Sequence, residues 1–223
     1  MTTPLPRCAV AALLVGALAL SSCKSAYYGT LEKLGVHKRD ILVERVEDGR
    51  DAQHAAKEQF QSALEAFREV SDFEGGELEK VYKRLQKEYD RSEAKVTAVR
   101  ERIDAIEDVA EDLFEEWKIE LDEIEDEDLR QRDEINLRET RNRYEDLISA
   151  MRRAERKMAP VLTAFSDHVV YLKHNLNVQA IASLQGQLVS IEDGIARLIG
   201  EMEESIGEAD AFIESMESKG PRP

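Results

Sequence analysis

Between Leu137 and Leu172 the residues Leu137, Thr140, Tyr144, Leu147, Met151, Ala154, Met158, Val161, Phe165, His168 and Leu172 follow one another at steps that alternate three and four without exception. That period puts them on one stripe of a helix, the seam by which a long helix lies against others. The rest of the chain reads as its partners. Composition agrees: 223 residues, 35% charged, with only 5 Pro and 11 Gly, leave room for helix almost throughout and little for sheet. A disordered polyampholyte has no reason to keep a regular apolar period, so the pattern argues for order.

A first helix is expected after Gly35. From Leu42 the positions Val46, Gly49, Gln53, Ala56, Phe60, Ala63, Phe67 and Val70 keep the three-four step. Its middle, with Gly49, Ala52, Ala55 and Ala56, leaves space for a neighbouring backbone or a bulky side chain. Ser71 to Glu77 is a turn built on two glycines. A second helix then runs from Leu78 to Ile124 on a stripe that includes Leu85, Val96, Val99, Ile103, Ile106, Leu113, Trp117 and Leu121.

The acids Glu125 to Asp128 mark a reversal, with Asp126 or Asp128 placed to cap the helix that follows. One uninterrupted helix from Leu78 to Lys157 is the alternative, but a rod of that length would need a partner chain throughout. Calcium at Asp122, Glu123 and Glu125 to Asp128 is disfavoured because the Asp-x-Asp-x-Asp-Gly spacing is missing; a solvated hairpin tip fits better. Pro160 is expected to interrupt and kink the organising helix. Beyond it Leu162, Val169 and Leu176 widen the apolar face, which places the bundle core at that end and a thinner two-helix projection at Asp128.

Lys173 to Asn177 gives a second reversal, with asparagine suited to a left-handed cap. One last helix, from Ile181 through Leu188, Ile195 and Met202 to Met216, closes the set. Its glycines, Gly186, Gly194, Gly200 and Gly207, lower helix stability and allow close packing. The fold class is therefore all-α: an elongated antiparallel bundle or coiled coil of about four long helices with a projecting two-helix hairpin. The bundle domain spans 36–217, and a frayed tail covers 218–223.

The N-terminus reads as a targeting signal over residues 1–22. Arg7 precedes the apolar run Ala9 to Leu20, too short to span a bilayer, and the run ends in Leu20-Ser21-Ser22-Cys23. This order resembles the lipobox of bacterial lipoproteins, in which the cysteine after the cut takes the lipid; an ordinary secreted protein with a chance cysteine is the alternative. Cleavage would remove Cys8 and Arg7. The mature chain would then be one charge more acidic than the −16 of the whole and hold one acylated cysteine, with no disulfide to stabilise it. Lys24, where inner-membrane retention would favour Asp, points by analogy to the outer membrane. Residues 23–35 form a tether whose Tyr27, Tyr28, Leu31 and Leu34 either dock on the bundle or rest at the lipid interface.

Catalytic patterns are missing from the sequence. No Gly-x-x-x-x-Gly-Lys-Ser/Thr loop, Gly-x-Ser-x-Gly elbow or His-Glu-x-x-His occurs. His168 and His174 stand six apart, turned well away from each other on a helix, so zinc is not expected. His168, between Phe165 and Leu172 on the seam, reads first as an edge-lying histidine. No cofactor and no metal are expected, nor any nucleic-acid partner, since an acidic chain offers no concentrated basic face. Candidate interaction residues are Tyr28, His37, Lys38 and Arg39 near the anchor, and Lys173, His174 and Asn175 at the second reversal; a solvated helix surface explains the first group as well.

The run Tyr28 to Leu42 (YGTLEKLGVHKRDIL), the following Arg45-Val46-Glu47-Asp48, and Leu172-Lys173-His174-Asn175-Leu176-Asn177 resemble a family of bacterial envelope lipoproteins classed as a domain of unknown function and sometimes labelled DNA-repair-ATPase-like. The likeness covers nearly all of the mature chain and implies no activity, cofactor or catalytic residue. The expected role is that of a lipid-anchored structural or scaffolding protein, not an enzyme. It would be held to the membrane through Cys23 and would meet an envelope protein or a second copy of itself. A membrane-shaping helical module of BAR-like type is the alternative, and the acidic excess weighs against it.

Overall fold

In a computed structural model, residues 38–75 and 77–218 are described, and the chain divides into two units, Met1–Ile41 and Leu42–Pro223. Of the first, only the turn Lys38–Ile41 is described. Tyr28, His37, Cys23 and the expected leader and tether lie outside the described residues, as does the tail from residue 219.

Five helices account for nearly all of the described chain: α1 (Lys38–Ser71), α2 (Leu78–Glu123), α3 (Glu127–His174), α4 (Val178–Gln185) and α5 (Leu188–Ser218). No strand occurs among the described residues. The protein is all-α. At 46 and 48 residues, α2 and α3 each run roughly 70 Å at the 1.5 Å rise of a helix.

The expected seam is the spine. Leu147, Met151, Ala154, Met158 and Leu172 are fully buried, and Phe165 nearly so. Cross-links fix the topology. Arg100 to Glu155 and Arg152 to Asp104 make α2 and α3 antiparallel, Arg153 to Glu201 does the same for α3 and α5, and Arg50 to Asp210 for α1 and α5. Phe67 meets Phe165 edge-on at 5.6 Å, and a Cβ at Gly49 would meet Met151, so α1 and α3 run parallel across the core. The unit from Leu42 onward is an up-down-up-down bundle.

The hairpin forms where the acids predict it. Asp126 caps α3, its side chain accepting from the Leu129 amide at 3.0 Å, and Glu127 and Asp128 sit at the positive end of the helix dipole. The register set by Arg153 with Glu201 and Glu204 brings Ser218 beside the turn of Leu137, so among the described residues α2 and α3 continue past the end of α5 as a pair. This is the projecting two-helix segment.

Four expectations are corrected. Pro160 does not interrupt α3, which is continuous from Glu127 to His174. The proline lies on the exposed side, where water can serve the carbonyl that its missing N–H leaves, and the Thr163 hydroxyl bonds the neighbouring Ala159 carbonyl at 3.1 Å. The last helix is two, broken at Gly186 and Gln187: the Gln187 amide turns back to the Leu184 carbonyl at 2.9 Å, tightening the chain before α5. Asparagine does not cap α3 in a left-handed conformation. Asn175 has φ −137° and its side chain donates to the Tyr171 carbonyl, while Asn177 serves as the N-cap of α4, accepting from the Ala180 amide. Gly200 and Gly207 face open space, so no close packing occurs at them, and Leu176 is exposed, so it does not extend the buried face.

Candidate interaction surface

Heptad-like helices expose their flanking positions, and here those flanks carry long charged side chains that reach across each groove. Arg152 of α3 donates to Asp104 at 2.5 Å and to both carboxylate oxygens of Glu107 at 2.5 and 3.1 Å. Those acids hold its guanidinium above its ordinary pKa, Glu107 foremost. Arg100 bonds Glu155 at 2.9 Å, and Arg153 bonds Glu204 at 2.6 Å and Glu201 at 3.3 Å. On α1, Arg50, Lys57 and Arg68 reach Asp210, Glu203 and Glu192 of α5. Arg102 and Arg84 of α2 reach back to Asp48 and Glu69 of α1. Much of the surface charge is spent bracing helix against helix.

The projecting hairpin differs. Along 119–137 only Arg130 and Arg132 offset nine acids, so the tip carries a net charge of −7. The hairpin's base is aromatic. Trp117 donates its indole N–H to Asp133 at 2.8 Å, and Phe114 meets Tyr144 edge-on at 5.4 Å under the Arg141 guanidinium. Burial, with Glu107 adding to it, pushes the Tyr144 hydroxyl up to about 12. Ile119 and Leu129 are 64% and 55% exposed. Asp122, Glu123 and Glu125 to Asp128 are all exposed; Asp126 is occupied as a cap and Glu127 pairs with Arg130. No group of three or more His, Cys, Asp or Glu suited to a metal ion gathers among the described residues.

Of the residues singled out from sequence, Lys38 and Arg39 open α1, half-buried. Lys173 and His174 form the exposed last turn of α3, where positive charge suits the negative end of the dipole, and Asn175 closes it with its N–H on the Leu172 carbonyl at 3.1 Å. Their placement serves the helix end. An open groove of about 640 Å³ lies instead at the α1–α2 turn among Glu69, Asp72, Phe73, Lys80 and Arg84. His168 is half-buried with its ring edge-on to Phe67 at 5.4 Å; desolvation lowers its pKa, opposed by Asp167.

Sequence reasoning passed over two polar features of the core. Glu88 is buried, accepting from Gln59 of α1 at 2.8 Å and Arg91 at 2.9 Å. Gln53 is fully buried, with neither its amide nitrogen nor its oxygen bonded to any protein group, and the Ser205 hydroxyl is likewise without a protein partner. Gln53 on an otherwise apolar stripe was the one available signal, since a polar side chain at a seam position carries a desolvation cost that needs a reason.

The model of the family described as Protein of unknown function (DUF2959) matches residues 27–216. The chain belongs to this family. The match takes in all of α1 to α4 and nearly all of α5, so the bundle with its hairpin is the family's domain. Neither a curated protein nor a solved structure matches the chain.

Proposed function

We propose that this member of the family is a lipid-anchored, non-catalytic protein of the bacterial envelope, whose bundle serves as a scaffold or interaction module on the periplasmic side, with the outer membrane favoured over the inner. The observation that carries the reading is Leu20-Ser21-Ser22-Cys23 directly behind the apolar run Ala9 to Leu20. A thioether on Cys23 would tie the chain to the bilayer, while no described helix is long and apolar enough to cross one. The braced helices supply what a scaffold needs, a rigid body with charged outer faces. The acidic hairpin is the face most available to an envelope partner or a second copy.

Expression of the full chain in a Gram-negative host with labelled palmitate tests the anchor. The wild type should take up label and sediment with membranes, and Cys23→Ser should take up none and leave the outer-membrane fraction. Label on the serine variant, or an unlabelled soluble wild type, overturns the reading. Cross-linking in intact cells then tests the scaffold: a discrete adduct lost on reversing the charge of Glu123, Glu125 and Asp128 supports it, and a chain that stays monomeric throughout counts against it.

A further inference from the structure

We propose that Gln53 of α1 and Ser205 of α5 form a buried site for water, a hydrated layer inside the bundle that bridges the two helices. Three observations carry this.

The first is the polar groups themselves. Both polar atoms of the Gln53 amide and the Ser205 hydroxyl are fully buried, and none of the three is hydrogen-bonded to a protein group. Leaving such groups unbonded costs more than immobilising a water among them.

The second is register. Arg50, Lys57 and Arg68 pair with Asp210, Glu203 and Glu192, at equal steps of seven and eleven residues along both helices, so α1 and α5 keep one alignment over this length. Ser205 therefore comes level with Ala55, about 3 Å of helix rise from Gln53. The two groups belong to one layer, yet neither bonds the other.

The third is the walls. Ala56 follows Gln53 by one turn and Ala209 follows Ser205 by one turn. Ala154 of α3 is brought to the same level by the parallel run of α1 and α3 through Gly49 with Met151 and Phe67 with Phe165. All three alanines are fully buried. Their methyl groups leave room beside the amide, whereas one and two heptads further along α1 the rings of Phe60 and Phe67 fill the core.

An N–H donor, a carbonyl acceptor and a hydroxyl that does either give a water the about two to four partners that buried water requires. Neither side chain carries a charge, so a neutral molecule of this size is the ligand that the chemistry fits.

A crystal structure of the full chain, at a resolution that shows ordered solvent, should place water within hydrogen-bonding distance of both the Gln53 amide and Ser205 Oγ. A direct bond between Gln53 and Ser205, or a layer without solvent density, overturns the proposal. Denaturant midpoints of the full chain in detergent micelles give a second test. Ser205→Ala should lower the midpoint of the wild type, where it removes a partner of the water. It should raise the midpoint of Gln53→Leu, where the water is expelled and the hydroxyl is left alone. Equal shifts in the two backgrounds mean that the groups share no bound water, and this too overturns the proposal.

Discussion

The indole Nε1 of Trp117, on α2, donates to Oδ2 of Asp133, on α3, at 2.8 Å, and the ring is only 9% exposed. The bond ties the two helices where, among the described residues, they run beyond the end of α5. Asp133→Ala should cost about 1.5–3 kcal/mol, the range for hydrogen bonds to a charged group, while Asp133→Asn keeps an acceptor and should cost less. Trp117 is the sole tryptophan, which makes its emission a local reporter. A red shift in Asp133→Ala before the main unfolding transition is the expected result; an unshifted spectrum and unchanged midpoint would remove the tie from the account.

Glycines on two helices should respond oppositely to the same change. A Cβ at Gly49 would stand 2.8 Å from Cδ1 of Ile106 and 3.3 Å from Cε of Met151, whereas at Gly200 and Gly207 it meets nothing within 4 Å. Gly→Ala at 200 and 207 should therefore each stabilise by about 0.5–1 kcal/mol, the ordinary helix-propensity gain. At Gly49 the Ile106 methyl must move, which cancels much of that gain, and Gly49→Leu should destabilise by about 1–3 kcal/mol through overpacking. Denaturant midpoints for the four variants check the ordering.

The difference between these glycines also shows what the sequence discloses. Gly49 lies on a three-four stripe beside Ala52 and Ala56, so its tight packing was legible from periodicity. Gly200 and Gly207 lie off the stripe of α5, and only the position of α3 decides that they face open space. The hairpin at Asp126 was legible because acids at a helix start have a local electrostatic cause. The break at Gly186 was not, since Leu184 and Leu188 keep the step of four across it and one glycine is tolerated inside a helix. The burial of Gln53 could be read from its place on the stripe. The lack of any partner could not, because that depends on what three other helices bring to the same layer.

Pro160 carries a prediction that follows from its continuity. The ring removes the amide that would bond the carbonyl one turn back, yet α3 runs through and the residue is exposed. Pro160→Ala restores the bond at a site with room for it. The variant should be more stable by about 1–3 kcal/mol, with unchanged helical content by circular dichroism. A loss of stability would mean that the local shape imposed by proline is needed for packing at Met158 and Val161, both buried one turn away or less.

His168 sets a dependence on pH whose sign is fixed by its surroundings. Desolvation beside Phe67 is the main cause of its lowered pKa, and Asp167 opposes it. The folded state thus releases the proton more readily than the unfolded chain, whose imidazole titrates near 6.5. Above that value both states are neutral and the contact with Phe67 contributes in full. As pH falls below it the unfolded chain gains a proton that the folded chain resists, so this contribution is progressively lost. Denaturation midpoints of the wild type and His168→Gln, compared at about pH 7.5 and about pH 5, isolate the effect from the many carboxylates that titrate in both proteins. The wild type should lose stability relative to the variant on acidification. A gain instead would mean that the acids around the ring outweigh its burial, and proton NMR of the His168 imidazole would then show a raised pKa.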